Sequence, residues 1–168
     1  MSTSEELRQN RLVFYQEDIE KIGVILQELI ELSGAKCALL IDKEGHLVTR
    51  EGAVRSFDTD ALCALVAGSF AATAEMAKLL GEDEFSVMFH QGQRDNIQLT
   101  LVSDRTILTV IFDDSTQLGM VRLYTQECVK QLQAILDSAA NRDDSEMPIE
   151  LDGDFEKAGK DNLDNVFN

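Results

Sequence analysis

The chain has 168 residues, of which 44% are hydrophobic, and it carries a formal charge of −16 from 31 acidic and 15 basic residues. This length and apolar content suffice for one folded domain with a tail. So large a negative charge repels phosphate groups and anionic lipid headgroups, which argues against nucleic acids and membrane surfaces as partners. We therefore expect a partner protein with a basic surface.

The N-terminal segment lacks the apolar core of a signal peptide, since residues 1–18 read MSTSEELRQNRLVFYQED. The longest uncharged stretch, residues 61–74, is shorter than the roughly 20 residues that a membrane span needs, so we expect no membrane insertion. Three cysteines, Cys37, Cys63 and Cys128, lie far apart in apolar segments. This pattern is typical of buried thiols in a reducing compartment, so we expect a cytoplasmic protein.

The predicted domain begins with a helix and a pair of strands. From Gln16 to Ser33 apolar residues recur at helical spacing, and Gly34 stands where a C-terminal cap belongs. A continuous apolar run predicts a strand at 36–42 that is covered on both faces. The turn Lys43–Gly45 then leads to a second strand at 46–50.

A second helix, three hairpin-connected strands and a third helix follow. Asp58 or Ser56 can cap the second helix, which runs to about Leu80 and stops at Gly81. The later strands and the third helix are predicted at 85–91, 97–103, 106–112 and 119–140. Hairpins imply antiparallel pairing, and the doubly covered first strand implies helices on both faces. The predicted fold is α/β, a three-layer α/β/α sandwich around a five-stranded antiparallel sheet, over residues 12–140.

Both ends of the chain are predicted to lie outside this domain. Residues 1–11 are polar and are expected to be flexible. Residues 141–168 hold nine acidic and three basic residues and the single proline, which predicts a flexible acidic tail. Near its end, Leu163, Val166 and Phe167 could share one face of a short helix. A docking motif and a solvated end explain this pattern equally well.

Residues suited to catalysis or metal binding are scarce. The two histidines, His46 and His90, stand without a cysteine or an acidic cluster at ligand spacing, which favours a structural or surface role. The sequence contains no GxxxxGK[ST] phosphate loop, no GxSxG nucleophile elbow and no HExxH zinc motif. We expect no enzyme chemistry, no cofactor and no metal.

The second helix has an unusual distribution of side-chain size around its axis. With each residue placed about 100° further round the axis, one side is large and is predicted to pack on the sheet. It contains Leu62, Val66, Ser69, Thr73, Met76 and Leu80, with Leu65 and Leu79 on one flank. The opposite side is small and nearly uncharged, and contains Ala64, Gly68, Ala71 and Glu75, with Ala67 and Ala72 flanking.

Gly68 needs an explanation, because a glycine inside a helix costs about 1 kcal/mol relative to alanine. Close approach of another backbone is a physical reason that would offset this cost. The alternative is a good helix former with an incidental glycine. Close approach predicts a contact surface that is used by a second copy, a partner, or both.

Four segments, on the predicted elements and in the same order, carry a resemblance to the Roadblock family. They are LIDKEGHLV (40–48), DTDALCALVAGSFAATAEMAKLLGEDEF (58–85), FHQG (89–92) and VIFDDSTQLGMVRL (110–123). The terminal DNLDNVF also resembles the acidic, apolar-tipped end of such proteins. The similarity runs from about Leu12 to Leu136 and is to members that act on a Ras-like GTPase.

The resemblance implies a homodimer that binds the GTP form of an MglA-like small Ras-like GTPase and stimulates hydrolysis, in bacterial cell polarity or motility. It implies a GTPase platform on Ala64, Ala67, Gly68, Ala71, Ala72 and Glu75, and a dimer edge on the strand with Phe85, Val87 and Phe89. Such members are taken to remodel the GTPase until its own arginine and glutamine reach the nucleotide, which is a population shift. A cytoplasmic protein concentrated at a cell pole is the implied location.

Two alternatives accompany this interpretation. Arg94 and Arg105, at turn tips, are candidates for an arginine inserted into the GTPase, although solubilising turn charge is the favoured explanation. The alternative function is a Roadblock scaffold or docking platform without effect on hydrolysis, because one fold can serve both roles.

Overall fold

The computed structural model describes residues 14, 16–53 and 57–145, and of residues 143–145 it describes the backbone. Residues Phe14–Asp137 form one compact unit, and the described part of a second unit is the helical continuation 138–145. The elements are α1 Gln16–Ser33, β1 Cys37–Asp42, β2 Leu47–Gly52, α2 Thr59–Leu80, β3 Val87–Gln91, β4 Asp95–Ser103, β5 Thr106–Asp113 and α3 Leu118–Ser145.

The five strands form one sheet in the order β2-β1-β5-β4-β3, and every neighbouring pair is antiparallel. The apolar strand β1 lies between β2 and β5, where Leu40 is opposite Thr49 on one side and Leu108 on the other. The predicted five-stranded antiparallel sheet is confirmed. Because β2 and β3 each have one strand neighbour, they are the two edges of the sheet.

Alternating side chains of the sheet feed two separate apolar clusters, as the two-residue period of a strand requires. On one face, α1 and α3 pack against β1, β4 and β5. On the other face, α2 packs through Cys63, Val66 and Phe70 on Leu39 and Ile107. The predicted three-layer α/β/α arrangement is therefore confirmed.

All three cysteines are free and buried, as predicted from their apolar surroundings. Burial raises the pKa of the Cys37 thiol to about 11 and that of Cys128 to about 12. Burial also raises the pKa of Cys63. A thiol whose pKa is raised in this way stays protonated at neutral pH, which makes it a poor nucleophile and a poor metal ligand.

Several predicted boundaries shift. Strand β3 begins at Val87 instead of residue 85, and β2 begins at Leu47 and continues to Gly52. Helix α3 continues to Ser145, beyond the predicted end at Ala140 and into the segment predicted as tail. A helix can continue through polar residues after its apolar pattern has ended. The change in composition after Ala140 therefore predicted the end of α3 too early. The rest of the predicted N-terminal and acidic tails lies outside the described residues.

Helix α2 is long and apolar enough to cross a membrane on length and composition alone, and 28% of its most apolar window is buried within the structure. The uncharged stretch of residues 61–74 was too short to predict a membrane-spanning helix. A single helix that meets this criterion is weak evidence for a span, because helices that pack on a sheet meet it too. The finding shows instead how much apolar surface α2 leaves uncovered.

Candidate interaction surface

Local signals fix both ends of α2. The side chain of Asp58 accepts a hydrogen bond from the backbone N of Ala61 at 3.1 Å, which satisfies a free donor of the first turn. Of the two predicted caps, Asp58 is therefore the one used, and Ser56 lies outside the described residues. At the other end Gly81 adopts a left-handed conformation with φ 76°, and its N–H bonds to carbonyl oxygens of the last turn.

The face of α2 that packs on the sheet differs from the predicted one. The buried residues recur at helical spacing along one side of the helix and are Cys63, Val66, Ala67, Phe70, Thr73 and Ala77. The predicted face was right for Val66 and Thr73 and wrong for Met76 and Leu80, which are 53% and 72% exposed. The physical reason is Phe70, whose ring fills the space beneath the helix and turns the leucines beside it outwards.

The small side of α2 is largely where the sequence places it. Ala64, Gly68, Ala71 and Ala72 are exposed. Ala67 is only 8% exposed and belongs to the buried face, so it adds little to any surface. A Cβ atom built on Gly68 would meet no heavy atom within 4 Å. Nothing within the described chain therefore explains a glycine at this position on steric grounds.

Glu75 brings a charge to the edge of this small side, but the charge does not stand alone. Its Oε1 atom lies 2.8 Å from Nζ of Lys78, one turn further along α2. Both side chains are about 70% exposed, at 72% and 68%, so the pair contributes little to stability. What Glu75 offers a partner is one half of an exposed ion pair, which leaves the small side close to neutral.

A large apolar stripe, which the sequence pattern assigned to the buried face or its flank, lies in solvent beside the small side. Its members are Leu65, Met76, Leu79 and Leu80, with exposures of 70%, 53%, 88% and 72%. At the border of the buried face, the Thr73 hydroxyl lies 2.9 Å from Sδ of Met88 on β3. Met76 and Leu80, three and seven positions after Thr73, therefore lie on the flank of α2 next to the β3 edge. Leu65 and Leu79 lie further round the helix, towards the small side.

The predicted dimer edge maps onto β3, an edge strand of the sheet. Val87 is 47% exposed. Phe89 instead turns inwards and stacks on Phe112, with ring centroids 6.0 Å apart. Phe85 precedes the strand and is half-buried. The feature of β3 that remains available for pairing is thus its backbone, with Val87 as the exposed apolar side chain.

Asp42, Glu44 and His46 converge in the turn between β1 and β2, although the sequence predicted no acidic cluster near His46. Their potential ligand atoms all lie within 4.8 Å of one another. Nδ1 of His46 is 3.1 Å from Oδ2 of Asp42. The other carboxylate oxygen, Oδ1, accepts hydrogen bonds from the backbone N–H groups of Glu44 and His46, at 3.0 and 2.8 Å. The alternating D-x-E-x-H spacing could have revealed this cluster. Its hydrogen bonds account for it as a turn-stabilising arrangement.

The tail residues Leu163, Val166 and Phe167 lie outside the described residues. The surface that the structure describes is thus formed by α2 and β3. It consists of a small, nearly neutral side, an apolar stripe and an unpaired strand edge. It holds no polar group buried in a pocket, which fits recognition of a protein surface better than binding of a small molecule.

Residues 21–112 match the family model of the Roadblock/LC7 domain. The chain belongs to the Roadblock/LC7 family. The matched range begins within α1 and ends within β5, so the helix α2 and both sheet edges lie within the Roadblock domain. This family consists of regulators and not of classical enzymes. No curated protein sequence matches the chain.

Solved structures place the chain more narrowly within the Roadblock family. It is 40% identical to Myxococcus xanthus MglB, with a TM-score of 0.72, over 76% of this chain and 96% of that one. It is 34% identical to the gliding protein MglB of Thermus thermophilus, with the same TM-score of 0.72 and the same coverage. An MglB structure described as having a tetrameric arrangement is 34% identical, with a TM-score of 0.73. The resemblance deduced from the sequence motifs is confirmed.

Proposed function

We propose that this Roadblock protein is a GTPase-activating regulator. As a homodimer it binds the GTP form of an MglA-like small Ras-like GTPase in the cytoplasm and stimulates hydrolysis, in bacterial cell polarity or motility. The observation that carries the proposal is Gly68, a helical glycine on an exposed and nearly neutral helix side, where a Cβ atom would meet no other part of the described chain. Identity of 40% to Myxococcus xanthus MglB supports the choice of partner.

The homodimer uses the β3 edge and the apolar stripe of α2. The exposed Met76 and Leu80 are costly in water and lie on the flank of α2 next to β3. Pairing of two β3 strands about a two-fold axis satisfies the free backbone groups and continues one sheet across both copies. The same operation brings the two α2 helices side by side and covers the stripe, while the small sides remain together as one platform.

The platform contributes binding energy and no reacting group. Ala64, Gly68, Ala71 and Ala72 allow a partner backbone to approach closely, and their side chains hold no acid, base or nucleophile. Acceleration therefore comes from tighter binding of the reactive conformation of the GTPase than of its ground conformation. In that conformation the GTPase's own arginine and glutamine contact the nucleotide.

Charge supports an interaction between proteins of opposite sign. The chain carries −16, and a basic patch on the GTPase would be steered toward it at low ionic strength. The surface of α2 itself is nearly neutral because Glu75 pairs with Lys78. The long-range charge thus raises the association rate, whereas shape and apolar contact at α2 determine the affinity.

Single-turnover GTP hydrolysis by the MglA-like GTPase of the same organism, with and without an excess of this protein, tests the proposal. We expect an acceleration of at least about tenfold, equivalent to roughly 1.4 kcal/mol of the barrier. Binding that ignores the nucleotide state and leaves hydrolysis unchanged would replace the activator with a Roadblock scaffold. Absence of binding in both nucleotide states would overturn the choice of partner.

A further inference from the structure

A groove runs between α1 and the edge strand β2, at the opposite edge of the sheet from β3. It is an open surface groove with a volume of about 950 Å³. Helix α1 forms one wall with Glu20, Val24, Glu28 and Glu31. Strand β2 forms the other wall with Thr49 and Glu51. Because the proposed homodimer uses β3, this groove stays open in the dimer.

The groove concentrates negative charge that no positive side chain among its described lining residues compensates. Of the residues that the structure describes, four glutamates line it, and no lysine or arginine does. Among the described residues, none of these four carboxylates forms an ion pair. Glu20 and Glu31 accept hydrogen bonds from the neutral amides of Gln16 and Gln27, at 3.3 and 3.1 Å, which leaves their charge in place. Glu28 and Glu31 are three positions apart on α1, and like charges at this separation on a helix repel one another. A cationic ligand would relieve that repulsion.

Alternate side chains of β2 face the groove, and its outer backbone edge is unpaired in the described sheet. Thr49 and Glu51 are opposite Leu40 and Ala38 of β1, whose side chains lie in the α1 cluster, so Thr49 and Glu51 also face α1. The intervening Arg50 points to the other face, where Nη1 donates to the Thr59 hydroxyl at 2.8 Å. The outer side of β2 has no strand neighbour in the described sheet and offers its free backbone groups to an extended chain.

We propose that this groove binds a basic, extended segment of a partner protein, which pairs with the free side of β2 and directs alternate lysine or arginine side chains at the glutamates. Side chains of an added strand alternate between the two faces, so every second residue faces α1. Val24, which is 69% exposed and lies between Glu20 and Glu28 on α1, packs against the methylene stems of those side chains. Backbone pairing supplies affinity, and charge supplies selectivity.

Charge decides between the possible occupants. Residues 141–168 of the chain itself hold nine acidic and three basic residues, and would be repelled by the groove. A second copy carries the same −16. Nucleic acids and anionic lipids are repelled for the same reason. A basic protein segment is the occupant whose charge complements the groove.

Fluorescence anisotropy with a labelled peptide of alternating lysine and threonine, about eight residues long, tests the proposal at low salt. The triple variant Glu20→Gln, Glu31→Gln, Glu51→Gln removes charge from the groove. We expect it to bind the peptide at least about tenfold more weakly than the unmodified protein. The substitutions relieve repulsion between neighbours, so the variant is expected to fold, which circular dichroism checks.

The matched control is Asp104→Asn, Asp114→Asn, Asp137→Asn, which changes the net charge equally at exposed sites elsewhere. It should bind within about twofold of the unmodified protein. Equal losses in both variants would mean unspecific attraction to an acidic protein and would overturn the proposal. So would undetectable binding by the unmodified protein, or undiminished binding of a peptide methylated at its backbone nitrogens. A change in sedimentation of the groove variant would assign the groove to a second copy instead.

Discussion

Gly45, in the turn between β1 and β2, touches the backbone of α2 at Ala64, since a Cβ atom on Gly45 would lie 3.0 Å from the Ala64 Cα. Gly45 also has φ 94°, which disfavours any side chain. We expect Gly45→Ala to lower the free energy of unfolding by about 2 kcal/mol, because strain and crowding act together. Urea unfolding measures this. Gly119→Ala, with no atom within 4 Å, is the control and should not be destabilised.

Gly68→Arg should abolish binding of the GTPase while the protein still folds. A side chain at Gly68 meets open space among the described residues, so the fold tolerates it, but it would stand between α2 and any backbone docked there. Pull-down with the GTP-loaded GTPase and a thermal melt provide the two measurements. Gly119→Arg places the same side chain on α3, also in open space, and should bind normally. Normal binding by Gly68→Arg would show that the platform is elsewhere.

Arg94→Ala and Arg105→Ala should each retain most of the GTPase-activating activity. Arg94 is exposed in the segment before β4, and Arg105 is half-buried in the turn before β5, so both lie at loops and not on the α2 platform. An inserted arginine is worth roughly a thousandfold or more in rate, which makes the experiment decisive. Single-turnover hydrolysis is the readout. A loss of about a hundredfold or more in either variant would replace remodelling by arginine insertion.

Met76→Glu with Leu80→Glu should weaken the homodimer by at least about tenfold, since the two side chains are 53% and 72% exposed and burial of each contributes about 1.5–3 kcal/mol. Sedimentation over a range of protein concentrations measures the dimer constant. Leu123→Glu alters a similarly exposed leucine, 53% exposed on α3, and should leave the constant unchanged. Equal effects of both changes would indicate general solubility and not a specific stripe.

The Ser115 side chain and backbone N–H, together with Lys36, hold the pKa of Asp113 below its usual 3.8. A carboxyl whose folded-state pKa is lowered stabilises the protein above pH 3.8 and loses this effect as the pH falls through the folded-state value. Asp113→Asn should therefore be less stable than the unmodified protein at neutral pH, and the difference should shrink below pH 3.8. Thermal melts across pH measure this, with the exposed neighbour Asp114→Asn as control. A difference independent of pH would contradict the assignment.

Much of the fold follows from local features of the sequence. Helix α1 has the predicted bounds, Gln16 to Ser33, because an amphipathic pattern ends at a glycine whose N–H bonds to Ile30 O at 2.9 Å. The doubly apolar β1 and the hairpin turns were enough to predict an antiparallel sheet covered on both faces. These features depend on spacing within a few residues, which is the range over which a sequence pattern is informative.

The candidate site was predicted only in outline. The sequence located α2, its two caps and Gly68, but it did not establish which side of the helix faces the sheet. Apolar residues occupy nearly the whole circumference of α2, so the periodicity identifies a helix without identifying a buried side. Packing of Phe70 beneath the helix determines the rotation and turns Leu79 outwards.

The sequence by itself therefore determined the elements, their order and the family, through local spacing and a set of motifs. Tertiary structure alone decided which surfaces those elements expose. Glu31 and Glu51 share one groove because strand pairing places β2 beside α1, and the stripe adjoins β3 because Thr73 meets Met88. Contacts between residues far apart in the chain depend on the complementary shapes of packed elements, and no local pattern in the chain encodes those shapes.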